Sequence, residues 1–157
     1  MRDIERRILC ELLKDSARPL IEIARKVGAS RQTVAKKIQE LKAKGIISAF
    51  TAELNPTALG LKTKAYVFLQ EDPRAEIRKR NETIIKKMPN VGEFHRLFGR
   101  YSAILVALVK DGEELKRLVR RIHKLKGVRG TETFIVHSTL KDEPEAPLIH
   151  FLKSERS

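Results

Sequence analysis

Between Leu20 and Gly45 the chain reads LIEIARKVGASRQTVAKKIQELKAKG, two short helical periods separated by a Gly-Ala-Ser break. Ile23, Ala24 and Val27 fall at i, i+1 and i+4, the apolar side of a first helix. Gly28 gives the backbone the freedom to leave it. Ser30 is a good N-cap for a second helix. Val34, Ile38 and Leu41 recur at i, i+4 and i+7, the buried side of that second helix. At about 100° per residue, Gln32, Thr33 and Lys36 point roughly the opposite way. Those types donate to base edges and phosphates, and they stand in the first two turns of their helix. This is the layout of a helix-turn-helix whose second helix enters a DNA groove. An ordinary helical hairpin with a solvated charged face carries the same pattern.

The charge balance weighs between the two. Lys plus Arg number 33 against 20 for Asp plus Glu, a formal net charge of +13. An excess this large suits a polyanionic partner. Residues 1–50 hold 12 basic and 6 acidic side chains, and residues 51–157 hold 21 and 14. The second part is basic too, but more dilutely.

Other chemistries find little support. No apolar run approaches the roughly 20 residues of a membrane span, and the opening MRDIERRILCELL is amphipathic rather than signal-like. A single cysteine, Cys10, excludes an internal disulfide and a cysteine-based metal cluster. It falls on the polar side of its helix, where exposure is expected. The cytosol is the simplest site of action. None of the four histidines (His95, His123, His137, His150) stands at metal-ligand spacing from another. There is no G-x-x-x-x-G-K phosphate loop and no arrangement for nucleophilic catalysis that spacing supports. No metal, no cofactor and no catalytic residue is therefore expected.

The chain divides near Asn55-Pro56, because the residue before proline is pushed out of helix. Upstream, residues 3–14 form an opening helix with Ile4, Ile8, Leu9, Leu12 and Leu13 on one face. After the second helix of the pair, IISAFTAEL (46–54) alternates enough for a strand. Three helices and a strand make a winged helix-turn-helix over residues 1–54. A hinge comes next, over 55–63. Residues 64–140 then run strand, helix, strand, strand, helix, strand. Helices are expected over 73–88 and 113–126. Strands are expected over 64–70, 91–98, 101–109 and 128–138, with a Gly99-Arg100 hairpin turn. The βαββαβ order implies a ferredoxin-like sandwich, making the whole chain α+β. The tail, 141–157, is irregular through DEPEAP, and LIHFL after it is apolar enough to dock.

The opening RDIERRIL and the run SARPLIEIARKVGASRQTVAKKIQELKAKGIISAFTAELNPTALG resemble the Lrp/AsnC (feast/famine) family of prokaryotic transcription regulators. The likeness covers about residues 3–138. It implies a winged helix-turn-helix followed by a RAM domain that mediates dimers and rings of dimers. It also implies an amino acid or other small-molecule effector between subunits. By that likeness Ser30 to Lys44 is the recognition helix. The candidate contacts to double-stranded DNA are Ser30, Arg31, Gln32, Thr33, Lys36 and Lys37. The partners implied are a pseudo-palindromic operator and the chain itself, as homodimer, tetramer or octamer.

Many effector-responsive relatives have Gly-x-Tyr-Asp at the turn into the third RAM strand. Here the run is Gly99-Arg100-Tyr101-Ser102, with serine at the acidic position. These four are the candidate effector residues. The change disfavours a ligand held through its ammonium group. Arg96 and Arg100 suit an anionic group instead.

Two other functions fit the same domain order. Siroheme decarboxylases resemble this fold and use His and Arg near the second RAM strand, roughly where His95-Arg96 stands. A ligand-sensing oligomer that does not bind DNA is the other.

Overall fold

The computed structural model describes residues 1–154. They form two compact units. One runs from Met1 to Glu53 and takes in Lys141 to Ser154; the other runs from Leu54 to Leu140.

The first unit holds α1 (Asp3–Lys14), α2 (Leu20–Val27), α3 (Arg31–Ala43) and the last helix of the chain, α6 (Ala146–Ser154). Ile8, Leu12, Ile23, Ala24, Val27, Val34 and Ile38 pack into one cluster, the apolar stripes read from sequence. Gly28 ends α2 in the left-handed region, at φ 67° and ψ 44°. An L side chain is strained there, so glycine sets the sharp exit toward α3. Ser30 caps α3, its hydroxyl accepting from the Thr33 N–H at 3.1 Å.

Two expectations change in this unit. Residues 46–54 form no strand. Their alternation suits a β conformation, but a ladder needs a partner strand, and the described residues of this unit contain none. Cys10 is buried rather than exposed. Its helix face is covered by α6, whose Leu152 joins Leu9, Cys10 and Leu41 in a second cluster. The docking of LIHFL is thus onto α1 and α3.

The second unit holds β1 (Thr63–Glu71), α4 (Ala75–Ile85), β2 (Val91–Arg96), β3 (Ala103–Val109), α5 (Gly112–His123) and β4 (Val128–Ile135). The four strands pair in the order β2-β3-β1-β4, each pairing antiparallel. This is the βαββαβ sandwich expected from the element order.

Strand alternation sends Ala65, Val67, Leu69, Ala103, Leu105, Ala107 and Val109 to one face. They bury there with Ile85, Met88, Leu115, Leu118 and Ile122 of the helical layer. The opposite face carries Tyr66, Phe68, Ile104, Val106 and Leu108, all only partly buried. The connection between β2 and β3 is longer than a two-residue turn. Residues 97–102 form a loop closed by the Leu97 N–H donating to the Ser102 carbonyl at 3.0 Å. Gly99 within it has φ 140°, a conformation L side chains rarely adopt.

Candidate nucleic-acid interface and effector turn

The exposed side of α3 begins with Arg31, Gln32, Thr33 and Lys36. The Ser30 hydroxyl lies 2.8 Å from that of Thr33, so both are oriented by the cap. Among the described residues, no ion pair or side-chain hydrogen bond engages Arg31, Gln32 or Lys36. Each is free to meet a base edge or a phosphate.

Lys37 is placed differently. Its Nζ lies 2.6 Å from Glu40 Oε2 and 3.6 Å from Glu5 Oε1, and its side chain is 14% exposed. It therefore ties α3 to α1. Glu5 is the residue sequence reasoning missed. It is buried, and its carboxylate accepts from the Arg2 backbone N–H at 2.9 Å. That bond holds the Glu5 carboxyl below its ordinary range against the cost of burial, with Lys44 and Lys37 assisting. The available signal was an acid in the first turn of α1, three residues beyond the N-cap.

Away from α3, Glu11 gathers three cations of this unit. Glu11 accepts from Lys14 at 2.7 Å, lies 3.1 Å from Lys26 and also holds Arg18. Its carboxyl is pulled down to about 2, first by the Lys14 hydrogen bond, which with Lys26 overcomes burial. Arg7 donates to the Lys26 carbonyl at 3.0 Å, satisfying an open carbonyl in the last turn of α2. α3 thus keeps unpaired donors in its first turns, while α1 and α2 are joined by the Glu11–Lys26 ion pair.

In the second unit the Gly99–Ser102 turn borders an open cavity of about 510 Å³. Glu71, Arg78 and Arg129 line it together with Arg100, Tyr101 and Ser102. Ser102 does not offer a free hydroxyl. Its Oγ donates to the Leu69 carbonyl at 2.8 Å and accepts from the Glu71 N–H at 3.0 Å, closing the β1–β3 ladder. Tyr101 donates to Glu132 and packs against Phe68 at 4.9 Å between ring centroids. Arg100 lies over the Tyr101 ring at 5.3 Å.

Arg96 is not available to an anion, contrary to the sequence expectation. It donates to Glu71, to Glu82 at 2.9 Å and to the Arg78 carbonyl at 3.2 Å. Asn81 completes this network, its Nδ2 donating to Glu71 at 2.8 Å and to the Lys126 carbonyl at 3.1 Å. Glu71, Arg78 and Arg129 are the lining residues that sequence reasoning missed. They come from three separate elements, and no spacing rule joins them.

His95 is exposed and lies 3.0 Å from Glu93. Its neighbour Arg96 is committed to Glu71 and Glu82. Among the described residues no group of three His, Cys, Asp or Glu converges on a metal position. Nor is any described helix long and apolar enough to cross a membrane.

Comparison with known proteins agrees with the geometry. The winged helix-turn-helix DNA-binding model matches residues 1–48, and the Lrp/AsnC ligand binding domain matches residues 64–146. The chain is 32% identical over 148 residues to the HTH-type transcriptional regulator FL11 of Pyrococcus furiosus, covering 93% of this chain and 95% of that one. It is 33% identical to the HTH-type transcriptional regulator Ptr1 of Methanocaldococcus jannaschii, covering 92% and 97%. The crystal structure of an AsnC family transcriptional regulator from Agrobacterium tumefaciens superposes with a TM-score of 0.88 at 26% identity, covering 96% and 99%. With a reading helix whose outward donors are unpaired and a four-stranded sandwich after it in the chain, this protein belongs to the Lrp/AsnC family of transcription regulators.

Proposed function

We propose that this regulator binds a pseudo-palindromic DNA site as a homodimer, or as a larger even assembly of dimers, in the prokaryotic cytoplasm. The observation that carries the reading is the unpaired state of Arg31, Gln32 and Lys36 on a capped helix. Gln32 and Arg31 have the chemistry for base edges, and Lys36 for phosphate or guanine. Ser30 and Thr33 contribute through the helix N-terminus, where backbone N–H groups favour a phosphate. Lys37 acts through Glu5, setting the angle of the helix rather than touching DNA.

Self-association is proposed through the sheet face away from the helices. Tyr66, Phe68, Ile104, Val106 and Leu108 form a contiguous apolar surface, extended by the exposed Phe134. An apolar sheet face of this kind is the usual mark of an interface. Two-fold pairing there brings two reading helices to two half-sites, and the linkage raises effective affinity beyond either helix alone.

The cavity at the Gly99–Ser102 turn is proposed as the effector site. The decisive experiment is quantitative DNA binding with salt variation. Wild type is expected to bind its operator with a steep negative salt slope. Arg31→Ala and Gln32→Ala are expected to lose discrimination at particular operator positions by about 1–3 kcal/mol each. Discrimination by both variants equal to that of the wild type at every operator position would overturn this docking of α3.

A further inference from the structure

We infer that the cavity at the Gly99–Ser102 turn takes a small organic dianion, a dicarboxylate of four or five carbons, rather than a neutral amino acid. The inference rests on the proposal that this turn is the effector site, and it names the chemistry of the ligand.

Three guanidinium groups line the cavity, from Arg78, Arg100 and Arg129. None is fully spent within the fold. Among the described residues no carboxylate pairs with Arg100, which rests only on the Tyr101 ring. Arg129 reaches Asp72 at 3.4 Å with its side chain 65% exposed. Arg78 uses its Nε on the Asp72 carbonyl at 3.3 Å. Planar donor forks of this kind match carboxylates two bonds at a time.

The carboxylate and the serine hydroxyl that line the cavity are already engaged. Among the described residues, Glu71 is the one carboxylate lining the cavity; its side chain is fully buried and held by Arg96 and Asn81. The Ser102 oxygen accepts from the Glu71 N–H while its proton goes to Leu69. Asp72, just outside, is bound to Arg74 at 3.0 Å and serves Arg129 as well. The cavity therefore presents surplus positive charge and no open anion. A volume of about 510 Å³ accommodates a small metabolite. Two carboxylates at opposite ends of a short chain give two separate arginines a fork-to-fork partner each, which a single carboxylate cannot do for both.

Calorimetric titration of the full chain tests this directly. The titrants are succinate, 2-oxoglutarate, inorganic phosphate, glutamine and leucine. One of the two dicarboxylates should bind at least about tenfold more tightly than glutamine or leucine. Arg100→Gln and Arg129→Gln should each weaken that binding by about tenfold, with the thermal midpoint of the protein serving as the fold control. Tighter binding of leucine or glutamine would overturn the ligand class while leaving an effector site at this turn. Phosphate binding as tightly as the dicarboxylates would overturn the organic assignment. Dicarboxylate affinity unmoved by both variants would place the ligand elsewhere. No titrant binding up to about 10 mM would overturn the site and the effector reading together. DNA binding by the same preparation is read separately, so failure there falls on the regulator reading.

Discussion

Lys37 Nζ lies 3.6 Å from the buried carboxylate of Glu5, while Lys36, one residue earlier on the same helix, is exposed and free of ion pairs among the described residues. Two neighbouring lysines of one basic run thus have different surroundings. Lys36→Ala is expected to reduce the log–log salt slope of DNA binding by about 0.9, the loss of one phosphate neutralised. Lys37→Ala is expected to leave that slope nearly unchanged and to cost about 1–3 kcal/mol of stability, since Glu5 loses its nearer cation inside the fold. Salt titrations and urea melts on the two variants check both expectations. Equal slope changes would contradict the division.

How much of this is legible in the sequence differs residue by residue. The stripes Ile23-Ala24-Val27 and Val34-Ile38-Leu41 repeat at the helical period, and period alone fixes which side is buried. Alternation in KAYVFLQ fixes β1 in the same way. Periodicity misplaces Cys10 because its burial depends on α6, more than 130 residues away in sequence. A periodicity argument sees only the helix it is applied to. Lys37 reads as a surface cation because ion pairing with Glu5 is tertiary. The cavity at Gly99–Ser102 is half visible. Its turn has a sequence signature, whereas Arg78 and Arg129 arrive by folding.

The packing of α6 on the first unit has a measurable consequence. Leu152 is 7% exposed among Leu9, Cys10 and Leu41. Leu152→Ala should destabilise this unit by about 2–4 kcal/mol, the transfer loss plus the cavity left behind. It should also speed labelling of Cys10 by a thiol reagent. Ending the chain at residue 145 should do both more strongly. Unchanged labelling in both proteins would show that α6 does not cover Cys10.

Glu11 provides a pH dependence of defined sign. Its carboxyl is lowered from an ordinary 4.5 to about 2, first by the Lys14 hydrogen bond and then by Lys26. A depressed acid contributes stability that is complete above the unfolded value and lost as pH falls toward the folded one. Wild type should therefore exceed Glu11→Gln in stability near neutrality. The gap should narrow between pH 4.5 and about 2. Acid melts followed by circular dichroism measure it, and a gap constant through that window would contradict the pairing.

The uncovered sheet face predicts the effect of a charge placed at its centre. Val106 stands opposite Tyr66 in the β1–β3 register, beside Phe68 and Ile104. Val106→Glu should dissociate the assembly, because the charge must be stripped of water without a partner. Sedimentation equilibrium at several concentrations reads the state, and circular dichroism confirms folding. A folded variant with wild-type assembly would move the interface to another surface.

The most direct measurement is selection of bound sequences from a random pool of double-stranded DNA by the full chain, followed by sequencing. The expected result is one enriched motif with two-fold symmetry, its half-sites centred about 10 base pairs apart or a multiple of that. Enrichment should be lost when Arg31, Gln32 and Lys36 are replaced together by alanine. A pool that stays unenriched with the folded wild type would contradict sequence-specific reading by α3.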